Sequence, residues 1–115
     1  YGYSAHLFMG SLLAIPPSVV LENLNLPPAT LQIGRAMQDY GVYIVDCGAP
    51  NLILYAEPGA DAEVAPRDSQ GTLVGLSTLV SHLQVVTNNR PTNIGGGGQP
   101  RRPFASCFVG ASNCP

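Results

Sequence analysis

Two adjacent prolines and a glycine bracket the segment that most limits what this chain can become. Pro27 and Pro28 cannot continue a strand, but they suit a first helical turn, whose N–H groups have no intrahelical partner. Ala29, Ile33, Ala36, Met37 and Tyr40 follow at helical spacing and define an apolar stripe. Gln32, Arg35, Gln38 and Asp39 fall on the opposite face, with Arg35 and Asp39 four residues apart and close enough for a weak pair. Gly41 stands where a left-handed cap is expected, because glycine takes positive φ there without steric cost. The spacing predicts a helix over about 28–40 that feeds directly into a β-hairpin over about 42–57.

Val42-Tyr43-Ile44-Val45 is β-branched and aromatic throughout. Asp46-Cys47-Gly48-Ala49-Pro50-Asn51 has turn chemistry, and Leu52-Ile53-Leu54-Tyr55 reads as the return strand. Both strands are apolar on both faces, which places them inside a larger sheet or sandwich. Upstream, Tyr1, Tyr3, Ala5, Leu7 and Met9 alternate with Gly2, Ser4, His6 and Phe8 in a period-two strand pattern, and apolar character runs on to Pro16-Pro17. Residues 18–26 form a turn-rich connector. Downstream, 58–71 is polar and loop-like, 73–82 has helical spacing, and 83–87 reads as a further strand. The run Gly95 to Gly98 lacks the following helix and the Lys of a phosphate loop and reads as a flexible or extended segment crossing another surface.

These elements predict a mainly β chain with one or two short helices. The expected form is a jelly-roll-like β-sandwich over 1–94 with a Gly/Pro-rich tail at 95–115. So few strands do not bury both faces of a sandwich alone. The missing strands are expected from a removed N-terminal segment, a second chain or a neighbouring copy.

Composition narrows the function. Only 10% of residues are charged, against a usual quarter, and all five basic residues are Arg. Glycine (13) and proline (11) are together about twice as frequent as usual in this chain. Such a chain suits a secreted or assembled protein whose surface is partly covered by a partner. Residues 1–68 carry all seven acids and two arginines, a net −5; residues 69–115 carry three arginines and no acid, a net +3. A solvated basic tail explains the asymmetry; head-to-tail complementarity between subunits is the sharper alternative. A dense basic stripe with aromatic platforms is lacking, so no nucleic-acid partner is expected. No apolar run approaches the roughly 20 residues of a membrane span. The chain opens on Tyr1, which suggests a processed or truncated start.

Cys107 and Cys114 bound a short Gly-containing loop that a local disulfide can close in an oxidising compartment. Cys47 is then odd, either free or paired with chain outside this sequence. No ligand set has zinc spacing, and no metal or cofactor is expected. His6 reads as a solvated strand residue and His82 as a junction residue bonding backbone, because no nucleophile is placed beside either. A nucleophilic hydrolase has no Gly-x-Ser-x-Gly elbow to rest on.

Three stretches, Met-Gly-Ser-Leu-Leu-Ala-Ile-Pro-Pro (9–17), Leu-Gln-Ile-Gly-Arg-Ala-Met-Gln-Asp-Tyr-Gly-Val-Tyr-Ile-Val-Asp (31–46) and Val-Val-Thr-Asn-Asn-Arg-Pro-Thr-Asn-Ile-Gly-Gly-Gly-Gly (85–98), resemble the C-terminal part of an uncharacterised group of secreted bacterial jelly-roll-like proteins. The resemblance covers about residues 7–103, with Gln-Asp-Tyr-Gly its most specific piece. It implies export, a β-sandwich and further strands upstream, and it implies no catalytic residues. The Cys-containing tail departs from that pattern.

Two functions are therefore expected to compete. One is a non-catalytic extracellular structural module that self-assembles, as a surface layer or filament. The other is a carbohydrate-binding or carbohydrate-acting sandwich using Tyr40, Tyr43, Tyr55, Asn88 and Asn89, with any acid pair drawn from Asp39, Asp46 and Glu57.

Overall fold

The computed structural model describes residues 7–46, 53–55, 58–59 and 64–97. Three short strands and two helices surround one core. β1 (Leu12–Ala14) is the central strand, β2 (Val42–Tyr43) and β3 (Gln84–Val85) flank it, and both pairings are antiparallel. Leu12 faces Tyr43 and Leu13 faces Val42 on one side; Leu13 faces Val85 and Ala14 faces Gln84 on the other. Backbone bonds extend both pairings, Gly10 N–H to Ile44 C=O and Ile44 N–H to Ser11 C=O toward β2, and Val86 N–H to Leu12 C=O toward β3.

α1 (Pro28–Asp39) begins on the two prolines, with Pro27 as its cap residue and the Leu31 N–H bonded to the Pro27 carbonyl. Its C-terminal turn is tied to the chain around β1. The Met37 carbonyl accepts from Ile15 N–H, and Gln38 Nε2 donates to the carbonyls of Pro16 (2.9 Å) and Val19 (3.0 Å). Gly41, at φ +76°, then turns the chain into β2 so tightly that a Cβ there would stand 2.6 Å from the Leu13 carbonyl oxygen. A helix and its following strand are thus clamped on the same strand, β1.

The core comprises Ile15, Leu21, Met37, Leu73, Leu76 and Leu79, with a 3₁₀ turn at Leu21–Leu24 and α2 (Leu76–Ser81) closing over α1. Thr30 is wholly buried and its hydroxyl donates to the Val74 carbonyl at 2.7 Å, satisfying both groups. Gly34 lets α2 approach, since a Cβ there would meet Leu79 Cδ2 at 2.8 Å.

Several expectations are corrected. The fold is not a jelly-roll β-sandwich but a small mixed unit with two helices and an open three-stranded antiparallel sheet. The reason lies in the packing: α1 packs against β1 and α2 packs on the Gly34 face of α1, so helices stand where a second sheet was expected. The segment Val42–Tyr43 is a strand, and its described pairing is with β1, not with 53–55. Part of the expected hairpin (47–52, 56–57) lies outside the described residues, and Ile53–Tyr55 forms no regular element. Residues 7–10 turn rather than extend, and Tyr1 to His6 lie outside the described residues.

The buried face of α1 is also rotated from the predicted stripe. Thr30, Gly34 and Met37 face inward, while Ala36 and Tyr40 are exposed. Arg35 reaches Glu22 at 3.2 Å instead of pairing with Asp39. The Glu22 carboxyl is held below its ordinary range, first by a backbone hydrogen bond at Glu22 itself and then by Arg35. The described part of the glycine-rich run, 95–97, is folded onto the preceding loop: Asn88 Nδ2 donates to the Gly96 carbonyl, Asn93 Nδ2 to the Asn88 carbonyl, and Gly95 N–H to Asn89 Oδ1. The remainder of the tail, 98–115, including Cys107 and Cys114, lies outside the described residues, as does Cys47.

Candidate functional site

One open groove of about 510 Å³ forms where the second half of α1, the Gly41–Val42 corner, the segment Ile53–Tyr55 and the loop 64–73 meet. Met37, Leu73 and Leu76 are buried and make its floor; Ile53, Tyr55 and Arg67 are exposed and stand at its rim. The rim is built by local chemistry. Asp68 Oδ1 accepts from the N–H groups of Gln70 (2.9 Å) and Thr72 (2.8 Å), an Asx-type turn that brings Arg67 opposite Leu73 in an isolated antiparallel bridge. One guanidinium nitrogen of Arg67 donates to the Gly71 carbonyl at 2.9 Å across the same turn. The Tyr55 hydroxyl donates to Asp46 Oδ2 at 2.6 Å, and this bond, with the negative charge of Asp46, raises the Tyr55 pKa. Among the described lining residues, Arg67 carries the one full charge.

The residues nominated for sugar binding are not gathered at this groove. Tyr55 lines it, but Tyr40 caps α1 and Tyr43 lies on β2. Asn88 and Asn89 follow β3, at the opposite edge of the sheet from β2, and brace their own glycine loop. Of the acids, Asp46 orients Tyr55, Asp39 ends α1, and Glu57 is outside the described residues. His82 Nδ1 lies 2.8 Å from the Thr78 carbonyl and 3.3 Å from Ser81 Oγ, at the C-terminal cap of α2. Among the described residues no three His, Cys, Asp or Glu side chains gather as a metal site, and no helix is long and apolar enough to cross a membrane.

Arg67 was not singled out by sequence reasoning, which treated 58–71 as surface loop. The signal was present in Asp68-Ser69-Gln70-Gly71-Thr72, whose turn chemistry closes the loop and fixes the positions on either side of it.

A second feature lies at the β2 edge. The turn 8–11 is closed by Phe8 N–H to Ser11 Oγ (2.9 Å) and Ser11 N–H to the Phe8 carbonyl (2.9 Å), and it holds Leu7, Phe8 and Met9 outward. The Gly10–Ile44 bond sets this turn beside Tyr43 and Val45, which are also exposed. Phe8 keeps 65% and Val45 59% of its surface in solvent.

Compared with protein families, characterised proteins and solved structures, the chain gives no match. The site is read from its own geometry.

Proposed function

We propose that this chain is a non-catalytic extracellular structural module that associates with further copies of itself, in a layer or filament. The carrying observation is the apolar edge formed by Leu7, Phe8 and Met9 with Tyr43 and Val45. Large apolar side chains grouped on a fixed turn and an edge strand mark an interaction surface, whereas scattered ones do not. Low charge supports the reading, because a chain with 10% charged residues offers little repulsion to its own kind. Export is supported by the resemblance of 9–17, 31–46 and 85–98 to secreted bacterial proteins. The carbohydrate alternative has less support, since of its five residues Tyr55 alone lines the groove and Asn88 and Asn89 brace a loop at the other edge of the sheet.

The test is sedimentation velocity on the full chain over a hundredfold concentration range, beside a Phe8→Ser/Val45→Thr double variant. Growth of larger species with concentration in the parent, lost in the variant at unchanged circular dichroism, is the expected result. A parent that stays monomeric throughout refutes self-association, and assembly unaffected by the variant removes this edge as its surface.

A further inference from the structure

An edge that meets the same edge of a second copy is self-complementary and closes at two chains; a filament needs a contact between unlike surfaces. We propose that the turn 90–94 of one copy seats Ile94 in the α1 groove of the next, which supplies that contact. The proposal rests on the self-association through the β2 edge. The groove is open and mostly apolar, about 510 Å³, with Ile33, Met37, Val42 and Leu73 along it. Val42 and its neighbour Tyr43 point to opposite faces of their strand, so copies paired through the edge keep their grooves open.

A single exposed isoleucine is ordinary on a protein surface. Ile94 is set apart by how it is held. It keeps 77% of its surface in solvent, the largest share among the exposed large apolar residues described. Beneath it, Arg90 and Asn93 exchange N–H to carbonyl bonds at 3.2 and 2.9 Å, and the Gly96 N–H bonds the Asn93 carbonyl. The Asn88 amide holds the Gly96 carbonyl, and the Asn89 side chain holds the Gly95 N–H. No residue of 94–96 is buried, so this bracing serves no core below it. Ordering an apolar tip beforehand lowers the cost of docking it.

Position and charge select a second copy as the source of the occupant. The turn follows β3 and the groove takes in Val42 of β2, at opposite edges of the sheet, so a chain's own turn and groove stand apart. Residues 1–68, which supply most of the groove, carry a net −5, and 69–115, which supply the turn, a net +3. Seating one in the other sets opposite charges together, with the exposed Arg90 at the base of the turn. One turn in one groove is a small contact. An edge pair carries two turns and two grooves, and that valency makes the contact effective.

The experiment is sedimentation velocity on the full chain carrying Ile94→Asp, on Ala36→Arg, and on their equimolar mixture. Ala36 is an exposed α1 residue at the groove, and Gln70→Arg repeats the block from the loop that lines it. Each variant alone should stop at an edge pair of about 24 kDa, twice the 12.0 kDa chain, at unchanged circular dichroism. The mixture should regain the growth of the parent, because one variant brings grooves and the other turns. Asn88→Ala, which loosens the brace, should raise the concentration at which growth begins about two- to tenfold.

A parent that stops at pairs, a single variant that grows past them, or a mixture that stays at pairs overturns the contact. Growth stopped by Ala36→Arg but not by Ile94→Asp also overturns it, and places another segment of the neighbour in the groove. The two readings fail separately. If the Phe8→Ser/Val45→Thr variant is monomeric while Ile94→Asp still polymerises, the edge stands and the groove contact falls. If Ile94→Asp stops growth that the edge variant leaves intact, the edge falls and the groove contact stands.

Discussion

Gly10 and Gly41 share almost the same backbone, φ +81° and φ +76°, but not the same surroundings. A Cβ on Gly10 would meet nothing within 4 Å; on Gly41 it would stand 2.6 Å from the Leu13 carbonyl oxygen and 2.7 Å from Leu12 Cδ1. Gly10→Ala therefore bears only the left-handed penalty, about 1–2 kcal/mol, less about 0.4–1 kcal/mol regained because alanine restricts the unfolded chain. Gly41→Ala bears the same two contributions plus the cost of forcing a methyl group into a packed site, about 1–3 kcal/mol. The neighbour that must give way is the backbone of the central strand, which places the effect in the upper part of that range. The difference between the two variants, about 1–3 kcal/mol, isolates the close approach of the helix corner to β1, because the backbone contributions cancel. At roughly 4 °C per kcal/mol for a chain of this size, Gly41→Ala should melt about 4–12 °C below Gly10→Ala. Urea unfolding followed by far-ultraviolet circular dichroism measures both, as the chain has no Trp to report by fluorescence. Equal destabilisation at unchanged denaturant slopes would refute the clamped corner.

Gln38→Ala removes the amide that bonds the Pro16 and Val19 carbonyls and should cost about 1–2 kcal/mol, read as a lower urea midpoint with unchanged slope. The Tyr55 pKa is raised, so the stabilising effect of its bond to Asp46 is complete below the ordinary tyrosine value of 10.0 and is lost as pH rises through the raised value. Ultraviolet titration should show a late tyrosine ionisation that vanishes in Tyr55→Phe and moves back toward the ordinary value in Asp46→Asn.

Much of the local structure was legible because it rests on backbone rules. Pro27-Pro28 and Gly41 bound α1, leucine spacing marks α2, and the Gln84-Val85 strand follows it. What failed was partnership. Val42–Tyr43 has strand propensity in any context, but propensity does not name the neighbour, and β1 lies thirty residues upstream. Chain proximity favoured 52–55, and two-sided apolarity then suggested a sandwich. The helix face was misread for a related reason. Counting apolar residues points to Ala29, Ile33, Ala36, Met37 and Tyr40, yet of these Met37 alone is buried, beside Thr30 and Gly34, the latter small enough to admit Leu21 and Leu79. Thr30, Gly34 and Met37 do share one helical face, so a search for small residues at that spacing finds it. The groove was hidden because its rim joins elements far apart in sequence. Only the turn at Asp68 carried a local trace.

The central strand of the sheet is also the first to be synthesised. Ala14 pairs with Gln84, seventy residues later, so at ordinary synthesis rates of 5–20 residues per second β1 waits roughly 4–14 s for its second neighbour. Leu79, which fills the Gly34 face of α1, emerges just before that neighbour. Once β2 has been made, the nascent chain can hold a helix and one pairing but no closed core until 73–85 follow. Because so little of the fold can be completed early, its folding rate should be governed by the late arrival of 73–85 rather than by α1, despite the helix being its most strongly encoded element.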